Sequence, residues 1–225
     1  VLVQARDYGG IDQVTVDAIE RSEGRIRGIA AMPRDAIERH LDFLVEKNFC
    51  GIRLSSFSPG AVRLDQLEAM APLMEELGWA TLIHLTDIEE IIELAPRIEK
   101  LSANILFDHL ARVRSHNTLD SPGFRTLLAL LRDTDHCWAK ICSWYRLSGS
   151  GAPYDDMTPY ARALIETRPD RLVWGTNWPH PNSYIATPND GDLLDQFMNW
   201  ADDNETQQQI LVDNPAQLFG FEKPA

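Results

Sequence analysis

Residues 171–181 read RLVWGTNWPHP. The segment opens as an apolar β run (Leu172, Val173, Trp174) and turns at Gly175 into a cluster of polar and aromatic groups. Asn177 and His180 stand three residues apart, with Trp178 and Pro179 between them. A strand that buries its start and shows reactive side chains at its C-terminal end is what a parallel α/β barrel uses to build a site. The plainer reading is an ordinary strand-to-loop junction in which Trp178 packs and His180 only hydrogen-bonds.

Working outward, similar short β-like runs fall at 1–4, 26–32, 51–55, 80–85, 104–110 and 137–143. Each leads into a helical stretch. Residues 35–47 place Ile37, Leu41, Leu44 and Val45 on one helical face. The next helix carries Leu64, Leu67, Met70, Met74 and Leu77, with Gly78 as its C-cap. Thr86 or Asp87 N-caps a helix striped by Ile88, Ile91, Ile92 and Ala95. Strands alternating with helices predict a parallel sheet covered by helices. A doubly wound sheet usually has a glycine-rich phosphate turn after its first strand, and no GxGxxG is present. The prediction is therefore a (β/α)8 TIM-type barrel, α/β in class. Seven βα units are visible and the first strand is lacking. Residues 1–225 are expected to form one domain, N-terminally incomplete because the chain opens inside the apolar run Val1-Leu2-Val3 without an initiator Met.

The composition limits the functions. At 225 residues and 44% hydrophobic the chain can bury one sizeable core. A net charge of -13 argues against nucleic acid and against an anionic membrane surface as partners. No apolar run approaches the ~20 residues of a membrane helix. The three cysteines, Cys50, Cys137 and Cys142, form neither a CxxC pair nor an even-numbered framework, so a cytoplasmic location is expected.

The predicted strand ends gather chemistry. Arg53 closes the third strand and His84 the fourth. Asp108 and His109 close the fifth, with Arg112 just beyond. Lys140 lies in the sixth, followed by Tyr145, Arg146 and Ser148, while Asn177 and His180 close the seventh. Arginines beside histidines suit a small anionic substrate, because guanidinium grips a carboxylate bidentately and imidazole moves protons. The competing reading pairs those arginines with the abundant Asp and Glu, as surface ion pairs commonly do. His40, His116 and His136 have no such placement and are read as structural or solvated.

RLVWGTNWPHP, DHLAR at 108–112 and WYRLS at 144–148 together resemble the amidohydrolase-2 branch of the amidohydrolase superfamily, and most of all its 2-pyrone-4,6-dicarboxylate lactonase group. The likeness runs along nearly the whole chain, including Val212-Asp213-Asn214-Pro215-Ala216. It implies a TIM-barrel hydrolase in which His109, Arg112, Arg146 and His180 contact carbonyl and carboxylate oxygens of a small anionic cyclic substrate. It also implies water attack that opens a ring ester without a metal. The sequence departs twice from that pattern. The first-strand His-x-His is absent, and Asn177 stands where the family's WGTDWPHP carries the aspartate that activates water. A neutral amide cannot accept water's proton.

The expectation is a lactonase-like hydrolase with Asn177, His180, His109 and His84 in the catalytic role. Arg53, Arg112, Tyr145, Arg146, Ser148 and Trp178 are expected to bind substrate. No cofactor and no metal ligand are expected, because His84, His109 and Asn177 offer an ion such as zinc few good donors. The alternatives are a decarboxylase or lyase carrying one divalent metal, and a degenerate ligand-binding barrel. A homo-oligomer is expected to cover the open seam of the barrel.

Overall fold

The computed structural model describes residues 1–5, 10–57, 61–181 and 187–222. Eight strands form one parallel sheet: β1 (Leu2–Val3), β2 (Gly28–Ala30), β3 (Phe49–Ser55), β4 (Val62–Arg63), β5 (Ala80–His84), β6 (Ile105–Phe107), β7 (Cys137–Ile141) and β8 (Leu172–Trp174). The spatial order is β1-β2-β3-β5-β6-β7-β8, with the short β4 paired to the end of β3. This is an open barrel of the TIM type, with seven principal strands, as the alternation predicts. The main helices are α1 (Gln13–Arg21), α2 (Arg34–Arg39), α3 (Leu41–Glu46), α4 (Leu67–Leu77), α5 (Ile91–Ile98), α6 (Pro122–Asp133), α7 (Thr158–Thr167), α8 (Asp190–Trp200), α9 (Asn204–Gln208) and α10 (Asn214–Phe219).

The two faces of the sheet do different work, because successive side chains in a strand point to opposite sides. Ile52, Leu54, Ile83, Ile105, Phe107 and Ile141 are buried with the helix residues Met70, Met74, Ile91, Leu127 and Leu164. On the other face Ile29, Ala80, Leu82, Leu106, Trp138 and Val173 close around Leu218 and Phe219 of α10. That second cluster plugs one end of the barrel. Stepping two residues toward the C-terminal end of each strand on this face reaches His84, Asp108 and Lys140, so the polar layer lies directly above the apolar one. Gly51 allows the close approach of β3 to β5, since a Cβ there would stand 2.3 Å from the Ala80 carbonyl oxygen.

Local signals account for most boundaries. Asp12 caps α1 by accepting from the Val14 amide at 3.0 Å. Asp87 caps the 3-10 turn Ile88–Glu90 in a reciprocal capping box with Glu90, which decides between it and Thr86. Gly78 ends α4 with φ +63°. Asn214 is buried and donates to the carbonyls of Pro169 and Leu172, both at 2.7 Å, fastening α10 to the start of β8.

Three expectations need correction. The helix over 35–47 is broken at His40, whose amide is shared between the carbonyls of Ala36 and Ile37. The strand over 104–110 stops at Phe107, because Asp108 caps a tight turn at His109–Arg112. The run 205–219, which the sequence predicts as one helix, is divided by a π turn at Gln209–Asp213. The loop after the third strand falls partly at 58–60, outside the described residues.

Candidate active site

Asp108 stands at the centre of the polar layer with no exposure to solvent. Its Oδ2 accepts from Arg53 Nη2 at 2.5 Å, and Lys140 Nζ lies 2.6 Å from Oδ1. Oδ1 also accepts the His109 backbone amide at 3.0 Å. Burial opposes the charge on this carboxyl, but the adjacent Lys140 and Arg53 cations outweigh it and hold the pKa well below the usual carboxylate range. Three strands, β3, β6 and β7, are thereby tied together by one ionic knot.

The turn after Asp108 has unusual geometry. His109, Leu110, Ala111 and Arg112 all have positive φ, between 50° and 66°. A left-handed conformation costs a non-glycine residue roughly 1–2 kcal/mol. Strain of this kind persists only where the surroundings fix it, and such places cluster at functional sites. Here Leu110 and Ala111 are wholly buried, and Val113 closes the turn by donating to the Leu110 carbonyl at 3.1 Å.

His109 is buried, with its Nδ1 3.0 Å from Cys142 Sγ and its ring edge-on to His84, the centroids 5.0 Å apart. Burial, with the surrounding cations, pushes His84 down to about 3 and His109 well below the ordinary histidine value. Both are neutral imidazoles at pH 7. His84 Nε2 is buried and has no hydrogen-bond partner among the described residues.

Arg112 is half-buried with its Nε likewise unpartnered. Burial and the nearby guanidiniums of Arg114 and Arg146 lower its pKa. Arg114 approaches Asp87 at 4.0 Å, but neither Arg112 nor Arg146 has an acidic partner within 4 Å among the described residues. Among the described residues neither guanidinium is therefore held by a carboxylate in direct contact, and each could grip an anionic group in the planar fork that guanidinium offers.

Beyond β8, Asn177 and His180 both adopt positive φ, 66° and 59°. Asn177 Nδ2 donates to Ser143 Oγ at 3.1 Å and to the Tyr145 hydroxyl at 2.7 Å. That hydroxyl is 3.0 Å from His180 Nδ1. His180 Nε2 in turn lies 3.1 Å from Asp190 Oδ1 of α8, off the line of an ideal hydrogen bond.

The expected residues therefore divide. His84, His109, Arg53 and Arg112 surround the Asp108 knot, while Tyr145, Asn177 and His180 form a second, connected group. Arg53 is partly committed to Asp108, leaving its Nε without a partner. Ser148 points elsewhere and donates to Asp156 Oδ1 at 2.7 Å within its own loop. Trp178 is 72% exposed. Cys142, Ser143 and Asp190 went unread in the sequence, because no local spacing connects them to the strand ends they face.

Asp108, His109 and Cys142 bring one potential ligand atom each within 4.8 Å of the others. A divalent ion does not fit this set. The carboxylate already carries Arg53 and Lys140, and a zinc site wants three or four free donors without two cations competing for one of them. Burial raises the Cys142 thiol to about 12, so it is a neutral neighbour of His109.

A family model described as amidohydrolase matches residues 1–221. The chain belongs to the amidohydrolase-2 family. Among its relatives is a 4-sulfomuconolactone hydrolase of Hydrogenophaga intermedia, 37% identical over 98% of this chain and 74% of that protein. A 2-pyrone-4,6-dicarboxylate hydrolase of Comamonas testosteroni is 33% identical over 97% of this chain and 75% of its own length. A crystal structure of a probable 2-pyrone-4,6-dicarboxylic acid hydrolase from Acinetobacter baumannii, with citric acid bound, superimposes with a TM-score of 0.81. It is 26% identical and covers 98% of this chain and 83% of that one. Within the amidohydrolase-2 family, the WPHP segment of this chain is therefore the turn that carries His180 to Tyr145, and DHLAR is the strained turn that carries His109 and Arg112.

Proposed function

We propose that this amidohydrolase-2 protein is a hydrolase that opens a small carboxylated lactone by water attack on the ring carbonyl, without a metal ion. The observation that carries the reading is the pair Arg112 and Arg146, half-buried guanidiniums without an acidic partner among the described residues. An anionic group of the substrate would supply the missing countercharge. The names of the relatives from Hydrogenophaga and Comamonas, both hydrolases of acidic lactones, favour the same class.

In this reading Arg112 and Arg146 grip the substrate's acidic groups, with Arg53 adding its free Nε. Neutral His84 and His109 donate to the carbonyl oxygen as negative charge develops on it. Asn177 positions the attacking water, His180 serves its proton transfer, and Tyr145 and Trp178 border the ring. The Asp108 knot keeps Arg53 and Lys140 in place and occupies the donors a metal would need, which disfavours a metal-dependent lyase. A reducing, cytoplasmic setting is part of the proposal, supported by three buried cysteines that are all free. So is a single domain with a second copy over the seam, supported by β1 and β8 having no pairing with each other among the described residues.

The test is a hydrolysis screen on chelator-treated protein, using carboxylated five- and six-membered lactones beside their neutral analogues. Turnover restricted to the acids supports the proposal. A second reading, a ligand-binding barrel that has lost catalysis, is favoured by the amide of Asn177, and binding of those acids without turnover would select it.

A further inference from the structure

The hydrogen bonds around Asn177 run in one direction, and that direction places a base. A side-chain amide nitrogen can only donate. The Tyr145 hydroxyl therefore accepts from Asn177 Nδ2 at 2.7 Å, and its own proton is left for the other close neighbour, His180 Nδ1 at 3.0 Å. With the phenol proton given to His180 Nδ1, the ring hydrogen sits on Nε2, facing Asp190 Oδ1 at 3.1 Å. Among the described residues neither of these two buried atoms has a hydrogen-bond partner, and they lie within ion-pair distance of each other. His180 is 5% exposed, held edge-on to the Tyr145 ring with centroids 5.3 Å apart.

We propose that Tyr145, His180 and Asp190 form a proton relay that acts as the general base in the place where Asn177 provides no carboxylate. The proposal rests on the hydrolase reading above. The phenol oxygen accepts from Asn177, donates to His180 and keeps one lone pair, which is the position for an O–H of the attacking water. As the water oxygen bonds to the lactone carbonyl carbon, its proton passes to the Tyr145 oxygen while the phenol proton moves to His180 Nδ1. The resulting imidazolium is stabilised by the Asp190 carboxylate. When the ring C–O bond breaks, the proton returns through Tyr145 to the leaving oxygen, so no proton is gained or lost by the protein. Tyr145 is the group that touches water; His180 and Asp190 act through it as positioning residues.

Two measurements test this. Nitrogen-15 NMR of the histidine rings in the native protein at neutral pH is expected to show His180 protonated at Nε2 with Nδ1 as acceptor. Asp190→Asn is expected to lower kcat on a carboxylated lactone on the order of 10–100-fold with KM little changed. In the Asn177→Asp background, where a carboxylate stands beside the water, the same Asp190→Asn change is expected to cost less than 3-fold. An Nδ1–H tautomer in an active protein overturns the relay alone, as does an equal loss in both backgrounds. Absence of turnover in the native protein overturns the hydrolase reading itself, and with it any relay for that reaction. Should Asp190→Asn fail to fold, the tautomer of the native ring decides.

Discussion

The Asn177 amide donates to the Tyr145 hydroxyl across 2.7 Å. An aspartate in its place would accept instead of donate, and the hydrogen bonds of Ser143 and Tyr145 would reverse. Asn177→Asp is therefore expected to raise kcat on a carboxylated lactone by roughly 10–100-fold, toward the contribution of a positioned base. Steady-state kinetics of the two proteins checks it. Unchanged or lower turnover would mean that the amide itself is required.

Arg112 and Arg146 are expected to bind charge rather than shape. Replacing either by alanine should raise KM for a carboxylated lactone about 10–100-fold, the range for a hydrogen bond to a charged group. KM for an uncharged lactone of the same ring should hardly move. Arg112→Lys should recover only part of the loss, because a single ammonium cannot reproduce the planar fork.

Asp108→Asn should destabilise the fold more than it alters any one contact. It leaves Arg53 and Lys140 buried beside a neutral group, and breaking a buried ion pair costs about 3–5 kcal/mol. Urea unfolding of native and variant protein measures the difference. A loss under 1 kcal/mol would show that the knot is not a structural tie.

Stability should also fall in mild acid. His84 titrates at about 3 in the folded state, below its ordinary 6.5. Between those values the unfolded chain binds the proton and the folded one does not, so stability rises with pH across the window and is lost as pH falls through it. His109, also depressed, adds in the same direction, at a slope of about 1.4 kcal/mol per pH unit for each fully differing group. Below the unfolded carboxyl value, proton uptake by Asp108 in the unfolded chain alone adds to the decline. Replacing His84 with Asn should flatten the profile between about pH 6 and pH 4, as followed by thermal unfolding.

The architecture was legible because alternation is a local property: each β run and the helix after it could be seen within about thirty residues. The strand-end rule then brought His84, Asp108, His109, Lys140 and Asn177 to one end of the sheet. What could not be read was how the side chains pair across strands. Arg53 reads as a free substrate arginine until Asp108 is seen 2.5 Å away. Ser148 reads as a site residue until its bond to Asp156 is seen. Asp190 reads as an acidic first turn of a helix, and only the fold brings it to His180. The four-residue left-handed turn at His109–Arg112 also has no sequence signal, since none of its residues is a glycine.

Metal-free hydrolysis is decided by the rate at which metal-stripped native protein opens a dicarboxylated pyrone in oxygen-18 water. Turnover is expected to survive chelation, with one labelled oxygen in the ring-opened acid and none retained in the enzyme. Activity that vanishes on chelation and returns only with a divalent ion would contradict it.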